Sequence, residues 1–265
     1  MNMTNSTKSP YFVNNYPDGA HIGLNMDWLY AGDSMIHSDY AVMYKATENR
    51  RNITIGVEAG HGVLGGDNIL IYCHPDHTAK ITDDLTQQIF KVPSNSYGMA
   101  FPDGTPEYVA TLALAQHFKN MLLAEGYDVL MVRDRRLVQL DVIARTVICN
   151  HAADCHISLH FDSDPCDYEK GCFYLAVMDE MKAKEPVASV WEQSDALGNS
   201  LLCALRKNGF KIFLPHMKND LMQTAYSSVP SVIIELGNQF SDHSDVALQR
   251  IAESLIAGVN LYYNL

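Results

Sequence analysis

Short apolar segments rich in β-branched residues alternate with longer segments of helical periodicity from residue 52 onward, and this alternation constrains the fold more than any other feature. Short apolar runs are typical of buried strands, whereas apolar residues three or four positions apart indicate amphipathic helices. The predicted strands are 53–57, 128–132, 153–160, 171–177, 210–214 and 231–235. The predicted helices are 106–125, with Thr105 as the N-cap, 137–151, 189–207 and 242–263. Strands that alternate with helices predict a single α/β domain with a largely parallel sheet.

The first part of the chain lacks this alternation. Residues 1–51 are rich in Asn, Asp and Tyr and have no sustained hydrophobic period. We therefore expect an N-terminal arm that lies over the domain formed by residues 52–265. The aromatic residues that we expect to anchor the arm are Tyr11, Phe12, Trp28 and Tyr30.

The charge balance and the apolar runs exclude several classes of partner. Asp and Glu number 31 against 19 Lys and Arg, which gives a net charge of −12. Nucleic acid would be repelled by such a field. No apolar run approaches the roughly 18 residues that span a bilayer, and no charged start precedes an apolar core, so we expect neither a membrane span nor a signal peptide. Six cysteines without a CxxC pair predict buried thiols rather than a disulfide framework.

Four titratable residues occur where the predicted fold brings element ends together. His61 follows the first predicted strand, His160 ends the third and Glu235 ends the sixth. Ligands of open α/β sheets bind at the carboxyl ends of the strands, so these side chains are expected to converge. Glu107 lies in the first turn of its helix, at the head of the buried stripe, and its carboxylate can point toward the same edge.

Two imidazoles and one carboxylate with an open fourth position are a usual ligand set for catalytic zinc, which polarises a carbonyl and acidifies water. A second carboxylate, here Glu235, could then carry a proton to a departing nitrogen. Each residue also has a structural interpretation. His61 could stabilise its loop, Glu107 could interact with the helix dipole, and His160 could be a polar strand end. The residue pattern alone leaves both interpretations open.

Five motifs follow one another between residue 52 and the C-terminus. They are Ile-Gly-Val-Glu-Ala-Gly-His61-Gly, Thr-Pro-Glu107, a stretch from Val132 to Asp154 that contains Arg133, Arg145 and Asn150, Ile157-Ser-Leu-His160-Phe-Asp162, and Pro230-Ser-Val-Ile-Ile-Glu235-Leu-Gly237. In wording and order they resemble the motifs of the zinc-dependent N-acetylmuramoyl-L-alanine amidases of bacterial cell-wall turnover.

The resemblance implies a site, a reaction and a fold for residues 52–265. It implies that His61, Glu107 and His160 bind zinc and that Glu235 is the catalytic carboxylate. The implied reaction is hydrolysis of the amide bond between N-acetylmuramic acid and L-alanine, so the implied substrate is peptidoglycan or a muropeptide at the bacterial cell wall. The implied fold is a six-stranded, mainly parallel mixed sheet with helices on both faces.

Residues 62–104 form a long insertion between the segments that contain His61 and Glu107. Long irregular segments in compact domains are usually functional or disordered, and the aromatic residues here argue against a floppy linker. One interpretation is an ordered rim that narrows the substrate groove and selects the peptide stem. The other is decoration on the far side of the sheet.

Other interpretations of the chemistry also remain open. The chain could bind peptidoglycan fragments without catalysis, or it could be a zinc peptidase or deacylase that acts on another amide. Cys73-His74-x-x-His77 could form a second metal cluster or a polar loop. A cysteine nucleophile, Cys155 or Cys172, would need a histidine partner that the strand order does not suggest. The sequence leaves the oligomeric state open.

Overall fold

A computed structural model describes residues 16–82, 88–164 and 166–264, and within these ranges the chain forms an α/β fold. The strands are β1 (His21–Gly23), β2 (Tyr40–Tyr44), β3 (Thr54–Ala59), β4 (Leu70–Tyr72), β5 (Lys91–Pro93), β6 (Asp128–Met131), β7 (Cys155–Asp162), β8 (Cys172–Val177), β9 (Ile212–Asn219) and β10 (Ser231–Asn238). The helices are α1 (Glu107–Ala124), α2 (Val142–Ala152), α3 (Trp191–Lys207), α4 (Met222–Tyr226) and α5 (Asp245–Tyr262).

The main sheet has eight strands in the order β1-β2-β6-β3-β7-β10-β8-β9. The central strands β6, β3, β7 and β10 are parallel to one another. The pairs β1–β2, β2–β6 and β10–β8 are antiparallel, so the sheet is mixed. The α/β prediction is confirmed, whereas the prediction of six strands is wrong because the sheet is larger and partly antiparallel.

Both additional strands come from residues 1–51. Strand β2 is a five-residue apolar run whose Val42 and Met43 are buried against β6, and β1 pairs with its outer edge. Of the expected anchors, Trp28 stacks on His151 with ring centroids 4.3 Å apart, and Tyr30 contacts Tyr226 edge-on. Tyr11 and Phe12 lie outside the described residues.

Helices cover both faces of the sheet. The first face packs against α1, α3 and α5 through alternate strand residues such as Ile55, Ile157 and Ile234. The opposite face packs against α2 and α4. Because neighbouring strand residues point to opposite faces, His156, Ser158 and His160 of β7 lie on the α2 side. Among the described residues, no helix combines the length and apolar character that crossing a membrane requires.

The insertion at 62–104 is anchored to this second face. Strands β4 and β5 form a small antiparallel sheet, and Ile71 of β4 packs with α2 and α4 in a buried cluster. His74 is buried, and its Nε2 lies 2.8 Å from Oδ2 of Asp220. His77 instead forms a hydrogen bond between its Nε2 and Oδ1 of Asp33. The described part of the chain therefore does not gather Cys73, His74 and His77 into a metal cluster.

Candidate metal centre and catalytic carboxylate

His61, Glu107 and His160 meet at the carboxyl edge of the sheet. Nε2 of His61 lies 3.0 Å from Oε1 of Glu107 and 3.1 Å from Nδ1 of His160. The distance from Nδ1 of His160 to the same carboxylate oxygen is 3.2 Å. One potential ligand atom from each residue therefore converges on a single point, and no other such group occurs among the described residues.

The loop after β3 holds His61 in an unusual backbone conformation. Its φ of 64° is in the left-handed region, which residues other than glycine adopt rarely. The buried guanidinium of Arg145 donates to the carbonyl oxygen of His61 at 2.8 Å. The buried Arg133 donates to the carbonyl oxygens of Ala59 and Gly60 at 3.0 Å each. Two arginines thus fix the loop that directs the His61 ring toward Glu107 and His160.

Both imidazoles have a hydrogen-bond partner on the ring nitrogen that faces away from the centre. Nδ1 of His61 donates to the carbonyl oxygen of Ser96 at 2.8 Å. Nε2 of His160 lies 3.1 Å from the hydroxyl oxygen of Ser158. Such outer contacts fix the tautomer and orientation of metal-binding histidines. Burial also lowers the pKa of His160, which favours the neutral imidazole that a metal requires.

The Glu107 carboxylate is buried and ionised. Its Oε1 accepts a hydrogen bond from the backbone N–H of Phe161, and its Oε2 accepts one from that of Met99, each at 3.0 Å. Burial alone would raise the pKa of Glu107, but hydrogen bonds and charge from His160 and His61 hold it well below its usual value. A buried carboxylate beside two imidazole nitrogens is a donor set that fits a divalent metal ion.

Glu235 lies on β10 directly beside His160 in the parallel register of β7, so both side chains are on the same face of the sheet. The residue is 9% exposed, and its Oε2 has no hydrogen-bond partner among the described residues. Burial raises the pKa of Glu235 well above its usual value, and the nearby carboxylates of Glu107 and Asp162 act in the same direction. The buried position of Glu235 therefore favours the neutral form of its side chain.

One open cleft contains the proposed ligands and Glu235. Its volume is about 340 Å³, and its insertion side is formed by Asp67 and the segment from Ser96 to Met99. The two ends of the insertion therefore line the cleft, whereas its central hairpin packs on the second face. Nothing in the sequence pattern of 62–104 identified Asp67 or Ser96 as cleft residues.

A buried polar network supports the loop that follows β3 and contains His61. Oε1 of Glu58 accepts from Nη1 of Arg145, and Oε2 of Glu58 pairs with Nε2 of His156, both at 2.8 Å. Burial would raise the pKa of Glu58, but Arg145 and His156 hold it far below its usual value. Sequence reasoning missed His156, although a histidine within the apolar strand 153–160 was a visible signal.

The alternative nucleophiles are unsuited to catalysis. Cys155 and Cys172 are buried, and burial raises the pKa of each thiol to about 12. The thiol rather than the reactive thiolate is therefore the stable form of both residues at neutral pH.

A family of known proteins matches most of this chain. The family model described as N-acetylmuramoyl-L-alanine amidase matches residues 55–258, a range that contains His61, Glu107, His160 and Glu235. Among curated proteins, none matches the chain significantly.

Several solved structures have a similar fold. The amidase Ami1 from Mycobacterium smegmatis has a TM-score of 0.64 and 17% identity, covering 80% of this chain and 97% of that one. The CwlD amidase from Clostridioides difficile, solved in complex with the GerS lipoprotein, has a TM-score of 0.55 and 15% identity over 80% and 98% of the two chains. AmiC2 of Nostoc punctiforme has a TM-score of 0.56 and 16% identity over 82% and 100%.

Proposed function

The chain belongs to the N-acetylmuramoyl-L-alanine amidase family, whose members are peptidoglycan amidases. We propose that this protein depends on zinc and hydrolyses the amide bond between N-acetylmuramic acid and L-alanine. The observation that carries this proposal is the convergence of His61, Glu107 and His160 beside the buried Glu235 in one cleft. A binding protein without catalysis would not require a buried carboxyl group with a raised pKa at that position.

His61, Glu107 and His160 would hold the metal through two nitrogens and one oxygen, the set usual for catalytic zinc. Ser96 and Ser158 orient the two imidazoles from behind. The chemistry that zinc supplies when bound is Lewis acidity, which polarises a carbonyl oxygen and acidifies a water molecule.

Glu235 moves the proton in this proposal. Its carboxylate accepts a proton from the attacking water and passes it to the amide nitrogen as that nitrogen leaves. The nitrogen must be protonated because an amine departs poorly as an anion. The raised pKa of Glu235 favours holding a proton between these two transfers, and the positive charge of a metal beside it would lower that pKa.

The test is a product analysis on purified muropeptides. The protein is incubated with and without a chelator, zinc is then added back, and the products are identified by mass. We expect stem peptides with a free L-alanine amino group and glycan with an intact lactyl carboxylate, formed only when zinc is present. Products cut at another amide would indicate a peptidase or deacylase, and muropeptide binding without any product would indicate a non-catalytic role.

A further inference from the structure

Asp67 is a charged residue in the cleft that the proposed reaction does not use. It lies in a short 3-10 helix, Gly66–Asn68, near the start of the insertion. The side chain lines the same cleft as His61 and Glu235. Its Oδ2 is buried and has no hydrogen-bond partner. A carboxylate oxygen removed from water without a donor is costly, so its position calls for a ligand.

No positive group of the described chain fills this role. Lys170 is the cation whose charge lowers the pKa of Glu235. Its Nζ already donates to Oδ2 of Asp162 and to Oδ2 of Asp164, at 2.5 Å each. Asp67 forms no ion pair within the described ranges, while the chain as a whole carries a charge of −12. Within the described ranges no protein group pairs with Oδ2 of Asp67, so a group of the substrate can fill this role.

The metal of the proposed site is not that partner. The converging ligand atoms come from His61, Glu107 and His160, and Asp67 is not among the residues that reach this group. Asp67 instead lies on the insertion side of the cleft, with Tyr97 and Gly98. A substrate that places its scissile amide at the metal would extend part of its length along this side.

We propose that Asp67 determines specificity by binding a positively charged amino group on the stem peptide of the substrate. An ammonium group both compensates the buried charge and donates a hydrogen bond to Oδ2, which a neutral amide N–H does only in part. The favoured substrate class is thus a muramoyl peptide that carries a diamino acid with a free side-chain amine. This inference rests on the proposed function.

The experiment compares two synthetic muramoyl peptides that differ only in acetylation of the side-chain amine. Both are given to zinc-loaded wild-type protein, to Asp67→Asn, and to Asp27→Asn as a control with the same charge change at an exposed position. We expect wild type and the control to have a KM about tenfold lower for the free amine, since hydrogen bonds to charged groups have such an effect. Asp67→Asn should lose this discrimination and have the same KM for both peptides.

A second measurement separates binding from structural support. Neutralising a carboxylate whose buried oxygen has no partner should leave the midpoint of urea unfolding unchanged or higher, whereas loss of a structural carboxylate lowers it. The inference is overturned if wild type does not discriminate, if Asp67→Asn still does, or if that variant is less stable. If wild type cleaves neither peptide, the proposed function fails. Calorimetric binding of the two peptides to the same proteins then decides the role of Asp67 independently.

Discussion

The Nδ1 atom of His61 donates a hydrogen bond to the backbone carbonyl oxygen of Ser96 at 2.8 Å. Ser96 belongs to the insertion, so a segment that interrupts the family motifs orients one of the proposed ligands. The backbone N–H of Met99, from the same segment, bonds the Glu107 carboxylate at 3.0 Å. The insertion therefore shapes the candidate metal centre as well as the cleft.

The first prediction concerns the metal ligands. Replacing His61 or His160 with Ala removes one of three donors, so the zinc content of the purified protein should fall from about one per chain to near zero. Elemental analysis of the variants measures this. His216→Ala, which removes an exposed imidazole from β9, is the matched control and should retain its zinc. Unchanged zinc in both ligand variants would contradict the assignment.

The second prediction separates catalysis from metal binding. Glu235→Gln keeps the side-chain volume but cannot carry a proton, so kcat should fall roughly 10²-fold or more while zinc content stays the same. Glu192→Gln, an exposed change on α3, should turn over at the wild-type rate. A Glu235→Gln variant that is as fast as wild type would assign Glu235 a structural role.

The third prediction concerns the rim of the cleft. Tyr97 lines the cleft and is 51% exposed, so its ring is available to pack against the substrate. Tyr97→Ala should raise KM several-fold, about the loss expected for one aromatic contact, with little change in kcat. Phe90, which is 44% exposed, is an aromatic residue of the insertion that does not line the cleft, and Phe90→Ala should have wild-type kinetics. Equal effects of both substitutions would mean that the insertion does not recognise substrate at this point.

The fourth prediction concerns the buried network beneath the loop. Glu58→Gln leaves the buried Arg145 without its counter-charge and should lower the free energy of unfolding at pH 7 by about 3 kcal/mol. The folded-state pKa of Glu58 is depressed below its ordinary value of 4.5. Its contribution to stability is therefore fully present above pH 4.5 and is lost as the pH falls toward the folded-state pKa.

Urea unfolding of wild type and Glu58→Gln across a pH series measures this difference. The gap between the two proteins should be constant from pH 8 to about pH 5 and should narrow at lower pH. Glu192→Gln again serves as the control and should differ from wild type by no more than about 0.5 kcal/mol. A gap that widens on acidification would mean that Glu58 is not ionised in the folded protein.

The sequence predicted six strands because each contains a short apolar run, and the main sheet contains all six of them. It missed β2 although Tyr40–Tyr44 is a continuous apolar run, because residues 1–51 were judged by their overall polar composition. Strand β1 has only three residues and exists through its pairing with β2, so local sequence carries little signal for it. Strand order, including the antiparallel placement of β8, depends on packing between distant segments.

The residues of the candidate site also differ in how far the sequence alone predicts their positions. His61 follows β3, and His160 and Glu235 lie in the carboxyl-terminal halves of β7 and β10. The sheet topology alone brings these strand ends together. The position of Glu107 beside them depends on hydrogen bonds from Met99 and Phe161, which are tertiary contacts. Asp67 and Ser96 reach the cleft through the path of an irregular segment, and no periodic pattern encodes such a path.

The fifth prediction concerns the close contact between the β3 loop and the second histidine. A Cβ atom at Gly60 would lie 2.4 Å from Cε1 of His160, closer than any real contact. Gly60→Ala should therefore displace the His160 ring and lower zinc affinity about 10- to 100-fold, the range seen when the surroundings of a metal ligand are disturbed. Competition with a chromophoric chelator measures the affinity.

Gly32→Ala is the matched control, because a Cβ there has no atom within 4 Å, and the zinc affinity of this variant should equal that of wild type. If Gly60→Ala also bound zinc as tightly as wild type, the ring of His160 would not need its present position, and its role as a ligand would have to be abandoned.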